Sequence, residues 1–132
     1  MSLPEGVILL PRSGGRRYEM GALRAVFKAD EGETKERYSV SEWWLEPHTD
    51  GPGAHAHEAN DEIFYVLDGN PEIRIGDEWV ALEPGSFVRI PARVLHDFRN
   101  STAKDAGLLN VFIPGGFEHK MPAIVAWFAK HR

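Results

Sequence analysis

The sequence predicts an all-β domain, built as a barrel or a double-sheet sandwich, that ends in one short helix. Three observations carry this. Thirteen glycines and nine prolines cut the 132 residues into short segments. Most segments are rich in β-branched and aromatic residues, which suit a pleated and half-buried surface. Only the tail carries apolar residues at helical spacing. Regularly spaced short strands separated by turn signals are the pattern of closed or doubled sheets.

In chain order, the strand candidates begin with Val7–Leu10 and Leu23–Lys28. The charged stretch Lys28–Arg37 reads as a solvated loop. Tyr38–Leu45 follows, and its adjacent Trp43 and Trp44 must face opposite sides of a strand. One of them is a candidate to stack on a planar ligand. Next come Ala54–His57, Glu62–Leu67, Glu72–Ile75 and Glu78–Leu82, the last two joined by Gly76-Asp77, a pair that suits a two-residue hairpin turn. The turn at Glu83–Ser86 leads to Ser86–Ile90, Val94–Arg99 and Leu108–Ile113. In the tail, Pro122 suits a first helical position and Ile124, Trp127 and Phe128 recur at i, i+3, i+4. Lys130, His131 and Arg132 complement the negative end of that helix. The chain reads as one domain over residues 1–132, with N-terminal strands in 1–50, a core barrel in 51–114 and a helix over about 118–131.

Composition narrows the function classes. The formal net charge is −5, and the densest basic cluster, Arg12, Arg16 and Arg17, is soon followed by Glu19. No basic stripe is present to neutralise phosphates, so nucleic acid is not an expected partner. The absence of cysteine removes disulfides, thiol nucleophiles and thiolate metal sites. No run approaches the roughly 20 apolar residues of a membrane helix. The first residues lack the positive region and apolar length of a signal peptide. A soluble, cytoplasmic protein is expected.

The chemistry concentrates in "GAHAHEANDEIFYVLDG", Gly53 to Gly69. Side chains two apart on a strand point the same way, so His55 and His57 project together while Ala54 and Ala56 turn away. Glu62 opens the next strand, and its parity groups it with Phe64 and Val66. His96 stands in an apolar strand after a proline turn, where local structure asks for no imidazole. Singly, each has an ordinary reading: a core histidine, a loop His-x-His, a solvated acidic turn. Together, three imidazoles and a carboxylate form a nitrogen/oxygen donor set for a divalent transition metal such as iron, manganese, nickel, zinc or copper. Inward parity nominates Phe64, Val66, Phe98 and Asn100 as cavity lining or barrel plug, with turn closure the plainer role for Asn100, and Trp43 is a further candidate for the lining.

These residues resemble the cupin superfamily. Its first motif is a glycine, a spacer, His-x-His, three or four residues, Glu, six residues and Gly. His55, His57, Glu62 and Gly69 fit this pattern, with the leading glycine displaced to Gly51 or Gly53. The second motif is matched by Gly85, Pro91, His96 and Asn100 in "GSFVRIPARVLHDFRN", with Arg93 where the family usually has glycine. A looser similarity to quercetin-dioxygenase-like small cupins lies in "FIPGGFEHKM", where turn chemistry and a barrel plug at Phe117 are the plainer reading.

The resemblance implies an antiparallel double-stranded β-helix, a jelly-roll barrel, with His55, His57, Glu62 and His96 holding one divalent metal. A left-handed backbone at Arg93 costs about 1 kcal/mol. The Arg93 guanidinium is a candidate to hold an anionic substrate at the cavity mouth, beside the ordinary role of a solvated turn residue. A homodimer is also implied. Two functions follow: a dioxygenase-type oxidoreductase on a small oxygenated or aromatic metabolite, in which Glu62 also accepts a proton, or a barrel that binds a small molecule or sugar without catalysis. A metal-dependent isomerase or epimerase stands behind both.

Overall fold

The computed structural model describes residues 2–131, so Arg132 lies outside the described residues. They form β1 (Arg16–Met20), β2 (Leu23–Ala29), β3 (Ser39–Leu45), β4 (Thr49–Asp50) and β5 (Asp61–Asp68). Then follow β6 (Glu72–Ile75), β7 (Glu78–Ala81), β8 (Phe87–Ile90), β9 (His96–Asn100) and β10 (Ala106–Ile113). A 3-10 turn, Phe117–Lys120, leads into the helix α1 (Met121–Lys130). All strand pairs are antiparallel. They make a six-stranded sheet, in the order β1-β2-β3-β10-β5-β8, and a four-stranded sheet, β4-β9-β6-β7. This is the jelly-roll architecture that the two motifs imply.

Alternation decides what faces inward. In β3, Ser39, Ser41, Trp43 and Leu45 are buried while Val40, Glu42 and Trp44 are partly exposed, so Trp43 is the inward tryptophan. Its indole N–H donates to Ser41 Oγ at 2.9 Å, which satisfies its one polar atom. In β5, Glu62, Phe64 and Val66 are the buried set. The core between the sheets includes Leu23, Phe27, Leu45, Phe64, Ile73, Ile90 and Leu108, all fully buried. Each such side chain contributes about 1.5–3 kcal/mol of transfer free energy.

Four sequence expectations change. The stretch Lys28–Arg37, read as a solvated loop, completes β2 and then forms a 3-10 turn over Glu31–Thr34 with Asp30 and Thr34 buried. Val7–Leu10 is not a strand: it pairs with no sheet, and Leu9 is 67% exposed. The first strand is instead Arg16–Met20, whose polar residues Arg17 and Glu19 hide its strand character. Its register is set by the two-residue turn Gly21-Ala22, with Met20 opposite Leu23. Ala54–His57 is a loop that touches the sheet through a single bridge, His55 to His96. The hairpin at Gly76-Asp77 does form, with Ile75 opposite Glu78 and Gly76 at φ 61°. Glycine takes that left-handed conformation without steric cost.

The C-terminal segment is fastened to the barrel by a polar network. The buried Asp30 carboxylate accepts from the backbone N–H groups of Gly116 and Glu118, both at 2.6 Å. Glu118, also buried, accepts from Arg16 Nε at 2.7 Å, from an Arg16 terminal nitrogen at 2.9 Å and from the Tyr18 hydroxyl at 2.7 Å. With the chain held there, α1 packs Met121, Ile124, Val125 and Phe128 against the open end of the barrel.

Candidate metal centre

The two sheets and one loop converge on four side chains. Glu62 projects inward from β5 and His96 from the first position of β9, on opposite sheets. His55 and His57 come from the loop between β4 and β5. That loop is docked by reciprocal backbone hydrogen bonds, His55 N to His96 O at 2.9 Å and His96 N to His55 O at 2.8 Å. A Cβ at Gly51 would overlap the Phe98 carbonyl, so this close approach requires glycine. Asp97 Oδ1 accepts from Gly53 N at 3.2 Å and holds the same loop from below.

One ligand atom from each of His55, His57, Glu62 and His96 lies within 4.8 Å of the others. The hydrogen bonds outside the cluster orient the rings. His55 Nδ1 is 2.7 Å from Gly53 O, and His96 Nδ1 is 2.9 Å from Val94 O. A carbonyl only accepts, so Nδ1 carries the proton in each ring and the neutral tautomer leaves Nε2 with a free lone pair.

Glu62 Oε1 lies 2.9 Å from His96 Nε2 and 2.8 Å from His57 Nε2. The His57 contact lacks hydrogen-bond geometry, and His57 Nε2 is buried with no hydrogen-bond partner. The second carboxylate oxygen, Oε2, accepts from Asn110 Nδ2 at 2.8 Å. Burial pushes the Glu62 carboxyl up, but the imidazoles of His57 and His96 outweigh it and hold the group at about 2. Burial likewise pushes His96 down, while its hydrogen bond to Glu62 carries the net shift upward. His55 is lowered, chiefly by burial.

A nitrogen lone pair set against a carboxylate oxygen at such distances needs a proton or a cation between them. The orphaned His57 Nε2 and the three-imidazole, one-carboxylate set therefore fit a divalent transition metal. Asn110 is the member of this centre that the sequence reading missed. The signal was an amide at inward parity in the apolar run of β10.

The cluster opens into a cavity of about 280 Å³. Trp43, Phe64 and Phe98 line it, with His55, His57 and Glu62 at its polar end. Val66 does not: it is fully buried in the core, one pleat further from the mouth. Arg93 also stays outside. Its backbone takes φ 73°, and its N–H donates to His57 O at 2.7 Å, so its main chain supports a cluster residue. Its side chain is 79% exposed and faces Glu58 at 3.7 Å, the solvated alternative of the sequence reading. Pro52, Gly53, Ala54 and Asn110 add to the wall, and the C-terminal segment supplies Phe117, Lys120, Ile124, Trp127 and Phe128.

Comparison with known proteins agrees with this geometry. A family model described as "Cupin domain" matches residues 41–112, which include both sheets' contributions to the cluster. Quercetin 2,3-dioxygenase of Bacillus subtilis is 33% identical over 64 residues, 48% of this chain but only 19% of that enzyme's length. A protein of known structure from Thermus thermophilus, TT1209, is 30% identical with a TM-score of 0.65, covering 75% of this chain and 90% of that one. An RmlC-like cupin from Shewanella frigidimarina superposes with a TM-score of 0.68 at 17% identity, over 80% of this chain and 88% of that one, a likeness of fold.

Proposed function

The chain belongs to the cupin family, and on that premise we propose that it is a metal-dependent oxidoreductase of dioxygenase type. Its substrate is a small planar molecule with oxygen donors. The observation that carries this is the joining of a His/His/Glu/His donor set to a cavity walled by aromatic rings. At about 280 Å³ the cavity lies just below the roughly 300–1,000 Å³ common for drug-sized ligands, which suits a compact ring system. The partial similarity to quercetin 2,3-dioxygenase supports the same class.

His55, His57, His96 and Glu62 are the residues that would hold the metal. A redox-active divalent ion bound there would supply Lewis acidity and one-electron chemistry. The protein's own share is position and environment. The carbonyls of Gly53 and Val94 fix the tautomers of His55 and His96. Asn110 keeps one Glu62 oxygen engaged, and the imidazoles of His57 and His96 keep the carboxylate ionised. Trp43, Phe64 and Phe98 bind a flat ring and exclude water, which strengthens every charge interaction at the cluster. Glu62 is also the group placed to accept a substrate proton. Held at about 2, it is a weak base, so this role requires that substrate loosen its histidine contacts.

The test is turnover of a flavonol and catechol panel by iron-reconstituted protein with dissolved oxygen monitored. Oxygen uptake in step with substrate loss supports the proposal. Turnover undiminished without oxygen points instead to isomerase or lyase chemistry, and tight binding without turnover to a binding protein. A homodimer belongs to the same reading. Ile63, Tyr65, Phe87, Leu109 and Val111 share the outer face of neighbouring strands β8, β5 and β10, and Phe87 is 62% exposed. Light scattering on a sizing column decides it, and a clean monomer at high concentration ends the idea.

A further inference from the structure

Lys120 is the one lysine or arginine lining the cavity among the described residues, and the chain places it there in a specific way. In the 3-10 turn Phe117–Lys120, residues three apart eclipse one another, so Phe117 and Lys120 share a face. Lys120 then begins the series Lys120, Ile124, Trp127, Phe128, spaced as one stripe along α1, and every member lines the cavity. A stripe turned toward an aromatic wall takes apolar residues. This one starts with an ammonium, 5.8 Å over the Phe117 ring.

Lys120 is exposed, and the Phe117 ring is the group its ammonium faces. Among the described residues, no ion pair includes Lys120. Glu118, two positions earlier, is turned to Arg16 and Tyr18 on the far side of the turn. The first turn of α1 holds no acid, so the ammonium stands at the positive end of the helix, where an anion is favoured. Glu62, at the other end of the cavity, is engaged by His96 and Asn110. The backbone just before Lys120 is fixed through Asp30, Glu118 and Arg16, so this exposed side chain starts from a defined position on the cavity wall.

We infer that Lys120 selects an anionic substrate: it binds the carboxylate of a small aromatic acid whose ring lies between the cavity's aromatic walls and whose other oxygens face the His/Glu cluster. This rests on the reading of the cavity as a substrate site. Lys120 is then a specificity-determining residue, and a neutral isostere of the substrate loses its charge-assisted hydrogen bond.

The experiment is calorimetric titration of the zinc-loaded full chain with 3,4-dihydroxybenzoate and with its uncharged amide. Zinc has no redox chemistry, so binding is read apart from any oxygen-dependent turnover. The acid is expected to bind about tenfold tighter than the amide or better. Lys120→Gln is expected to bring the ratio close to one by weakening the acid alone, and Lys120→Arg to retain it. Thermal midpoints confirm that the variants fold. Equal affinities in the unmodified protein, or a preference that survives in Lys120→Gln because the carboxylate binds the metal directly, overturn the inference and leave the proposed function standing. Failure of both compounds to bind overturns the cavity as a site for aromatic substrates, and this inference with it.

Discussion

Asn110→Ala removes a donor to Glu62 Oε2, a 2.8 Å hydrogen bond between two residues each 5% exposed. A buried hydrogen bond to a charged group contributes about 1.5–3 kcal/mol, and the orphaned oxygen cannot recover it from bulk water. A loss of about 2 kcal/mol is therefore expected in the metal-free protein. With an unfolding entropy of about 2.1 cal/mol/K per residue over 132 residues, this lowers the thermal midpoint by about 7 °C. Metal affinity falls by about 10–100-fold, the usual effect of losing a partner that orients a ligand. Asn110→Asp sets a second carboxylate against Glu62 and is expected to be worse at neutral pH and partly recovered in acid. Urea or thermal unfolding after chelation, with competitive zinc titration, measures both effects. An Asn110→Ala protein with unchanged midpoint and unchanged zinc affinity refutes the account of how Glu62 is held.

The pH dependence should separate the metal-free and loaded proteins. His96 is raised, so its stabilising charge is fully present below the ordinary histidine value of 6.5 and is lost as pH rises through its folded value. Glu62 is depressed, so its contribution is present above the ordinary carboxylate value of 4.5 and is lost as pH falls toward about 2. The His96–Glu62 pair of chelated protein is thus strongest between those ordinary values, whereas zinc affinity, which needs neutral imidazoles, falls about tenfold per pH unit once His96 protonates. Zinc affinity that is flat from pH 8 to 5 contradicts this. Glu118→Ala removes the acceptor of Tyr18 and one of the two acidic partners of Arg16, which keeps Glu33, and should loosen the C-terminal segment at a cost of about 1–3 kcal/mol. Hydrogen exchange should then quicken in α1 before the core strands, and uniform exchange would refute the fastening role. Arg93→Gly relieves a left-handed backbone at an exposed side chain, so metal content should be unchanged and the thermal midpoint the same or a few degrees higher. Loss of metal would show that the guanidinium matters after all.

Much of the site was legible because its spacing is itself a geometric statement. His96 in an apolar strand and Glu62 at inward parity point to a shared interior, and the structure brings them within 2.9 Å. The reason given for His55 and His57 was less accurate. They converge from a loop docked on β9, and the alternation of a full strand is not what aims them. β1 escaped notice because its partners, rather than its own polar residues, determine that it pairs. Val7–Leu10 misled for the opposite reason: β-branched residues favour a strand only where a sheet edge receives them. The cavity wall from α1 could not be read at all, because the Asp30–Glu118–Arg16 network that docks the helix joins residues about a hundred positions apart. Of that wall, only the plug at Phe117 was anticipated.

The most direct test is elemental analysis of protein purified without chelator, set beside His55→Ala and His96→Ala. The account predicts close to one transition-metal ion per chain in the unmodified protein, and almost none in either variant while circular dichroism still reports a folded barrel. An unmodified protein that takes up no metal after reconstitution, or variants that keep it, would contradict the convergence of those imidazoles and Glu62 on a shared ion.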